Sequence, residues 1–222
     1  MPIEAIIFDL DDTLYEEIQF VHSGFQKVAR YISNKYNYAC NFVYNELLSD
    51  FNKGIREKNF DVLLKNLKIN EDELEHLIEI YRYHHPIICL SNDSRVILPI
   101  LQNNYKLGLI TDGYLLTQKN KIDALGVELF FDNIIINDSA KGVDKFSEKP
   151  FRQMINAVDI FPHKSLFIGD NPNKDFFIPK KLGMHTVRIK REKGIYSNIP
   201  KNIKIDFEIS NLLELIHLLD IM

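Results

Sequence analysis

An apolar, strand-like run over residues 3–8 is followed by roughly 75 residues that are helical throughout, and only after them do strands and helices alternate. That order constrains the fold more than any other feature of the chain. A short, nearly continuous apolar run fits a strand buried on both faces of a parallel sheet. In the helical block, Ile18, Val21, Phe25, Val28, Ala29 and Ile32 recur every three or four positions, as do Leu74, Leu77, Ile78 and Tyr81. This spacing predicts three or four amphipathic helices and no strand. Asn70, with Glu73 three residues on, reads as a capping box that opens the last of them.

After Pro86, strands are predicted at 107–111, 133–136, 165–168 and 186–189, with helices over about 115–125, 150–158 and 172–182 between them. A helix capped by Asp93 should run to about Asn103, with a kink at Pro99. Residues 190–204 read as a polar loop, and 205–222 as a short strand followed by a helix capped at Ser210. Alternation of this kind predicts an α/β domain, a doubly wound parallel sheet covered on both faces. The boundaries are drawn at 1–15 and 91–222 for the core and 16–90 for the helical insertion. Ligands of open α/β sheets bind beyond the carboxyl ends of the strands, so an insertion at the end of the first strand is placed to act as a lid.

Composition narrows the function classes. The chain has 222 residues, 45% of them hydrophobic and 26% charged, enough for one sizeable core or a core with a subdomain. A net charge of -4 and the lack of a dense basic stripe argue against nucleic acid or an anionic membrane as partner. Cys40 and Cys89 form no metal or disulfide array. No basic leader precedes the first apolar run and no stretch approaches a membrane span, so the expected location is the cytoplasm.

Four strand ends carry the chemistry. The first strand stops in Asp9-Leu10-Asp11-Asp12-Thr13, where adjacent like charges are costly unless a cation or a reaction uses them. The second ends in Thr111-Asp112-Gly113, a hydroxyl and amides suited to a phosphate oxygen. Lys149 precedes Pro150 at a predicted helix start, while Lys141 and Lys145 read as solvated loop charges. The strand at 165–168 ends in Gly169-Asp170, with Asp175 five residues further on. Acids, a hydroxyl and a lysine are the parts of a magnesium-assisted phosphoryl transfer site.

In that order and spacing, the four segments resemble the motifs of the haloacid dehalogenase (HAD) superfamily, with the helical block in the place of its C1-type cap. The resemblance implies a Rossmann-like core and a phosphatase that forms an aspartyl-phosphate. It implies Asp9 as nucleophile and Asp11 as the acid that protonates the leaving oxygen and then activates water. The two carboxyl pKa values must then be pushed apart, with Asp9 ionised and Asp11 protonated at the start. Thr111 and Lys149 would hold the phosphoryl group. Mg²⁺ would be bound by the Asp9 carboxylate, the Asp11 backbone carbonyl and Asp170, with Asp175 orienting a bound water or the lysine. Asp12 stands where the family often has glycine and is read as a turn residue.

The second acid counts against a dehalogenase, which needs no proton donor. A phosphohexomutase of the β-phosphoglucomutase type keeps both acids and is the alternative. A receiver-type phospho-acceptor domain is disfavoured by the order of motifs. The substrate is expected to be a small soluble phosphate monoester, such as a sugar phosphate or nucleoside monophosphate, acted on by a monomer or homodimer. Its contacts would be Thr111, Asp112 and Lys149 in the core and, from the insertion, Arg82 and His85.

Overall fold

The computed structural model describes residues 2–200 and 203–222; Met1 and, within the predicted polar loop, Lys201 and Asn202 lie outside the described residues. The chain divides into two compact units, Met1–Glu17 with Cys89–Met222, and Ile18–Ile88.

The chain enters through β1 (Ala5–Phe8), all of whose residues are buried. It then forms the four helices of the second unit, α1 (Ile18–Tyr36), α2 (Cys40–Asn52), α3 (Asn59–Leu67) and α4 (Leu74–Tyr83). Their apolar stripes close on one another: Val21, Phe25, Val28 and Ile32 of α1 meet Val43 and Leu47 of α2, Leu63 and Leu67 of α3, and Leu77 of α4. The predicted capping box is half realised. The Asn70 side chain accepts from the Asp72 amide at 3.1 Å, starting a single 3-10 turn before α4. Glu73 turns away to accept from Tyr31 and Lys35, at 2.7 and 2.6 Å.

The other unit continues with α5 (Asn92–Gln102), β2 (Lys106–Gly113), α6 (Leu115–Leu125), β3 (Asn133–Asp138), α7 (Glu148–Val158), β4 (Ser165–Gly169), α8 (Phe177–Lys181), β5 (His185–Ile189), β6 (Phe207–Ile209) and α9 (Glu214–Asp220). The strands form one parallel sheet in the order β3-β2-β1-β4-β5-β6. β1 is thus central, with Phe8 level with Leu109 on one side and Ile168 on the other. A strand covered on both faces and paired on both edges has no use for polar side chains, which is why its sequence is unbroken apolar. Phe151, Met154 and Val158 of α7 and Phe176 and Ile178 near α8 pack with Ile7, Ile110 and Phe167 of the sheet. No helix among the described residues is long and apolar enough to cross a membrane.

Besides the Ser210 cap, which does not form because α9 begins at Glu214 and Ser210 instead donates to the Glu214 carboxylate at 2.9 Å, three local readings differ from the structure. Pro99 does not break α5: both Pro99 and Arg95, whose carbonyl it leaves without a helical donor, are on the exposed side of the helix, where a proline is best tolerated. Asp93 does not cap this helix. It is buried, accepting from Arg191 at 2.6 Å and from the Leu212 amide at 2.8 Å, while Arg191 also donates to the Thr13 carbonyl at 2.6 Å. This pairing fastens the loop after β1 to the segment after β5. The third is the helix expected over 172–182, which is regular only from Phe177 to Lys181. Before it, residues 171–175 form a tight turn closed by the Asp175 amide on the Asn171 carbonyl at 3.0 Å.

Candidate active site

β1 and β4 lie side by side where the strand order reverses, so the loops leaving their carboxyl ends diverge and open a crevice. Asp9 is the first residue past β1, its amide donating to the Ile168 carbonyl at 2.8 Å, and Asp170 is the first past β4. Asp9, Asp170 and Asp175 are all buried, and each brings a carboxylate oxygen within 4.8 Å of the others. Lys145, from the loop between β3 and α7, sets its ammonium 2.5 Å from Asp9 Oδ1 and 2.9 Å from Asp175 Oδ1. Asp175 is aimed by the Asn171 amide, which donates to its Oδ2 at 2.9 Å. Gly169 makes the space for it, since a Cβ there would lie 2.5 Å from that oxygen. Together with Asp11 and Asp112, these groups border a cavity of about 140 Å³.

Three buried acids facing one ammonium carry more negative charge than the site can hold. Burial, reinforced by Asp175 and Asp11 and only partly opposed by Lys145, pushes the Asp9 carboxyl up to about 8. Burial also holds Asp170 well above the carboxylate range, with Asp175 and Asp9 adding to it. Burial acts to lower Lys145, but the carboxylates of Asp175 and Asp9 outweigh it and keep it a cation. Among the described residues nothing donates a hydrogen bond to the Asp170 carboxylate. An all-oxygen donor set with surplus negative charge fits a hard divalent cation such as Mg²⁺, and Asp9, Asp170 and Asp175 are the residues that would hold it.

A carboxyl whose folded pKa is raised binds its proton more tightly folded than unfolded. It therefore supports the fold fully below the ordinary carboxyl value, and that support is lost as pH rises through about 8. The metal-free protein should lose melting temperature over this window, and Mg²⁺ should restore more at about pH 8 than at about pH 5. A melting shift by Mg²⁺ that is the same at both pH values would contradict the buried acid cluster as its binding place.

Asp11 stands apart from this cluster in its own set of donors. Its Oδ1 accepts from the Tyr15 hydroxyl and, at 2.7 Å, from the Lys121 ammonium; its Oδ2 accepts from Gln118 Nε2 at 3.0 Å. Burial acts to raise the Asp11 carboxyl, but Lys121, Gln118 and Tyr15 outweigh it and hold it below its ordinary value. Gln118 Nε2 also lies 2.7 Å from Thr111 Oγ1 and 2.8 Å from the Asp112 carbonyl. The loop itself is shaped by Asp12, at φ 52°, whose carboxylate accepts from the amides of Glu17 and Ile195 at 2.8 and 2.9 Å. That conformation accounts for a residue tolerant of the left-handed region at this position.

The structure brings Asp9, Asp11, Asp112, Asp170 and Asp175 to one cavity and holds the buried Thr111 beside it, linked to Asp11 through Gln118, but it leaves Lys149 outside. Lys149 lies exposed in the first turn of α7, where its amide donates to the Ser147 hydroxyl at 3.2 Å. Ser147 caps the helix and starts it at Glu148, two residues before Pro150, so Lys149 points to solvent. Lys145 enters instead, because its own amide is held by Asp112 Oδ2 at 3.1 Å. The Asp112 carboxylate also accepts from Asn137 at 2.7 Å and pairs with Lys174 at 2.5 Å, so it is engaged within the protein. Arg82 and His85 belong to the end of α4 and the segment after it, in the helical unit. Gln118, Lys121 and Lys174 at this site were not among the residues expected from the sequence. For the first two a signal was present, a Gln-x-x-Lys pair on the face that α6 also uses for Ile122 and Leu125.

Comparison with known proteins gives a consistent picture. The family described as haloacid dehalogenase-like hydrolase matches residues 6–189. The chain is 29% identical over 224 residues to the glyceraldehyde 3-phosphate phosphatase of Methanocaldococcus jannaschii, covering 96% of each chain. It is 28% identical to the glyceraldehyde 3-phosphate phosphatase of Pyrococcus furiosus, over 98% of this chain and 93% of that one. A HAD-hydrolase of Bacillus subtilis, crystallised with bound magnesium, shares the fold with a TM-score of 0.69 at 20% identity, over 99% of this chain and all of that one.

Proposed function

The chain belongs to the haloacid dehalogenase-like hydrolase family, and on that premise we propose that it hydrolyses a small aldose phosphate through an aspartyl-phosphate on Asp9. It is a phosphoric monoester hydrolase. One observation carries the finer reading: two carboxylates of one cavity stand in opposite environments, Asp9 among acids and Lys145, Asp11 among donors. A double displacement at phosphorus needs two such groups with different roles.

In the first step an Asp9 oxygen bonds to phosphorus, the ester P–O bond breaks, and the leaving alkoxide takes a proton from Asp11. In the second, a water oxygen bonds to phosphorus as Asp11 takes its proton, and the Asp9–phosphorus bond breaks to release inorganic phosphate. Without a cation the two carboxyl groups are pushed apart in the sense opposite to this assignment, Asp9 up and Asp11 down. A divalent cation held by Asp9, Asp170 and Asp175 would favour the Asp9 anion and neutralise charge on the phosphoryl oxygens. A phosphate dianion arriving beside Asp11 raises that group's proton affinity in turn. Thr111 offers its hydroxyl to a phosphoryl oxygen, and Lys145 opposes the charge that develops between Asp9 and phosphorus.

The cavity supports a small substrate: about 140 Å³ is well below the roughly 300–1,000 Å³ of pockets that take drug-sized ligands. The relatives named for glyceraldehyde 3-phosphate make that triose phosphate the first compound to try. The test is phosphate release from p-nitrophenyl phosphate, glyceraldehyde 3-phosphate, hexose phosphates and nucleoside monophosphates, with Mg²⁺ and with a chelator. Turnover that the chelator abolishes and Mg²⁺ restores is expected, greatest for the shorter sugar phosphates. Folded protein that releases no phosphate from any of them would end the reading.

A further inference from the structure

We propose that Lys121 and Gln118 of α6 are positioning residues for proton transfer, fixing the orientation of the Asp11 carboxylate toward the leaving-group oxygen. The inference rests on the phosphatase reading above and assigns two residues that the reading does not use. Lys121 and Gln118 are three apart, so they project from one face of the helix. They grip different oxygens of the same carboxylate, Lys121 the Oδ1 at 2.7 Å and Gln118 the Oδ2 at 3.0 Å. Contacts to both oxygens stop rotation of the carboxylate plane, which a single contact would leave free.

Packing alone gives no reason for this arrangement. Thr117, Gln118 and Lys121 are all buried on α6, at positions where apolar side chains would normally face the sheet. A buried ion pair such as Lys121–Asp11 is on average no more stabilising than apolar residues of similar volume, because both charges lose their hydration. What the pair provides is direction. Gln118 extends it by placing the same Nε2 2.7 Å from Thr111 Oγ1, so that the proton carrier and the hydroxyl offered to the phosphoryl group are referenced to one amide. Gly113 is part of the arrangement: a Cβ there would lie 2.9 Å from Gln118 Cγ and push the amide off this position. Tyr15, whose hydroxyl meets Oδ1 from the loop after β1, is buried and completes the grip.

Misplacing a general acid slows substrates that need a proton on the leaving oxygen and spares those that do not. Two variants of the lysine, Lys121→Met and Lys121→Gln, are compared with Gln118→Met on glyceraldehyde 3-phosphate and on p-nitrophenyl phosphate, whose leaving group departs without protonation. Wild-type turnover is read first. For a folded variant of Lys121 the expected result is a fall in kcat of roughly 10²-fold on the alkyl phosphate, no more than about threefold on the aryl phosphate, and an unchanged KM. Gln118→Met should show the same split with smaller amplitude. In an Asp11→Asn background the lysine substitutions should cost nothing further, because they act through that carboxylate.

Equal losses on both substrates, no loss on either, or a full additional loss on top of Asp11→Asn would each overturn the assignment while leaving the phosphatase reading intact. Failure of both lysine variants to fold would show that the pair serves the fold, which also overturns it. An inert wild-type protein overturns the phosphatase reading, and this inference with it.

Discussion

Asp9→Asn is expected to lower kcat by on the order of 10³-fold or more on every substrate, irrespective of leaving group, because the proposed mechanism makes its carboxylate the group that bonds to phosphorus and an amide is a far weaker nucleophile. The same substitution should not destabilise the protein. Asp9 is one of three buried carboxylates around a single ammonium, and its carboxyl is pushed up to about 8 by burial and by its acidic neighbours. Replacing it by a neutral amide of the same shape removes a charge that the metal-free fold tolerates poorly above that pH. The melting temperature without metal should therefore be unchanged at about pH 5, where Asp9 already carries its proton, and higher than wild type at about pH 9. Mg²⁺ should stabilise the variant less than wild type, since one of three carboxylates is gone. Residual turnover above a few per cent would remove Asp9 from the role of nucleophile. A fall in melting temperature at high pH would instead show that Asp9 serves the fold through Lys145 more than it burdens it.

The parts of this site that could be read from the sequence are those that secondary structure alone brings together. Asp9, Thr111 and Asp170 each follow or end an apolar run, and parallel strands deliver their carboxyl ends to one edge of the sheet, so convergence of these residues is already implied by the strand pattern. The all-helical insertion was legible for a related reason: four amphipathic stretches keep their period without interruption by a strand. Lys145 was not legible. Lys141, Lys145 and Lys149 are spaced four apart, and the choice among them depends on where α7 starts, which Ser147 decides by taking the cap position ahead of Pro150. The anchor that turns Lys145 inward, its amide on Asp112, lies 33 residues away and has no local signature. The same limit hid Lys121, whose partner Asp11 is 110 residues distant in the chain. The Gln-x-x-Lys pair on a buried helical face was visible, but nothing in the sequence said which charge it would meet.

Lys145→Met against Lys149→Met is the experiment with the clearest contrast. Lys145 is almost fully buried and touches two of the three acids, so its removal leaves Asp9 and Asp175 without their shared counter-charge. Breaking a buried ionic cluster from one side costs about 3–5 kcal/mol when the remaining charge has no other partner. That cost should be visible in the metal-free protein above about pH 8 and should shrink toward pH 5 as Asp9 takes up its proton. Mg²⁺ held by the same carboxylates would supply counter-charge and should recover part of the stability, but not the turnover, which is expected to stay about 10²–10³-fold low because the proposed mechanism then lacks the ammonium that opposes charge developing on the phosphoryl group. Lys145→Arg should rescue little, since a planar guanidinium does not fit the space of a compact ammonium wedged between two carboxylates. Lys149→Met, at an exposed position of the first turn of α7, should change stability by no more than about 0.5 kcal/mol and turnover by less than about twofold. A large loss at Lys149 with none at Lys145 would reverse the assignment. It would require α7 to begin later than Ser147 dictates, with Pro150 at its first position and Lys149 turned into the cavity that Lys145 now fills.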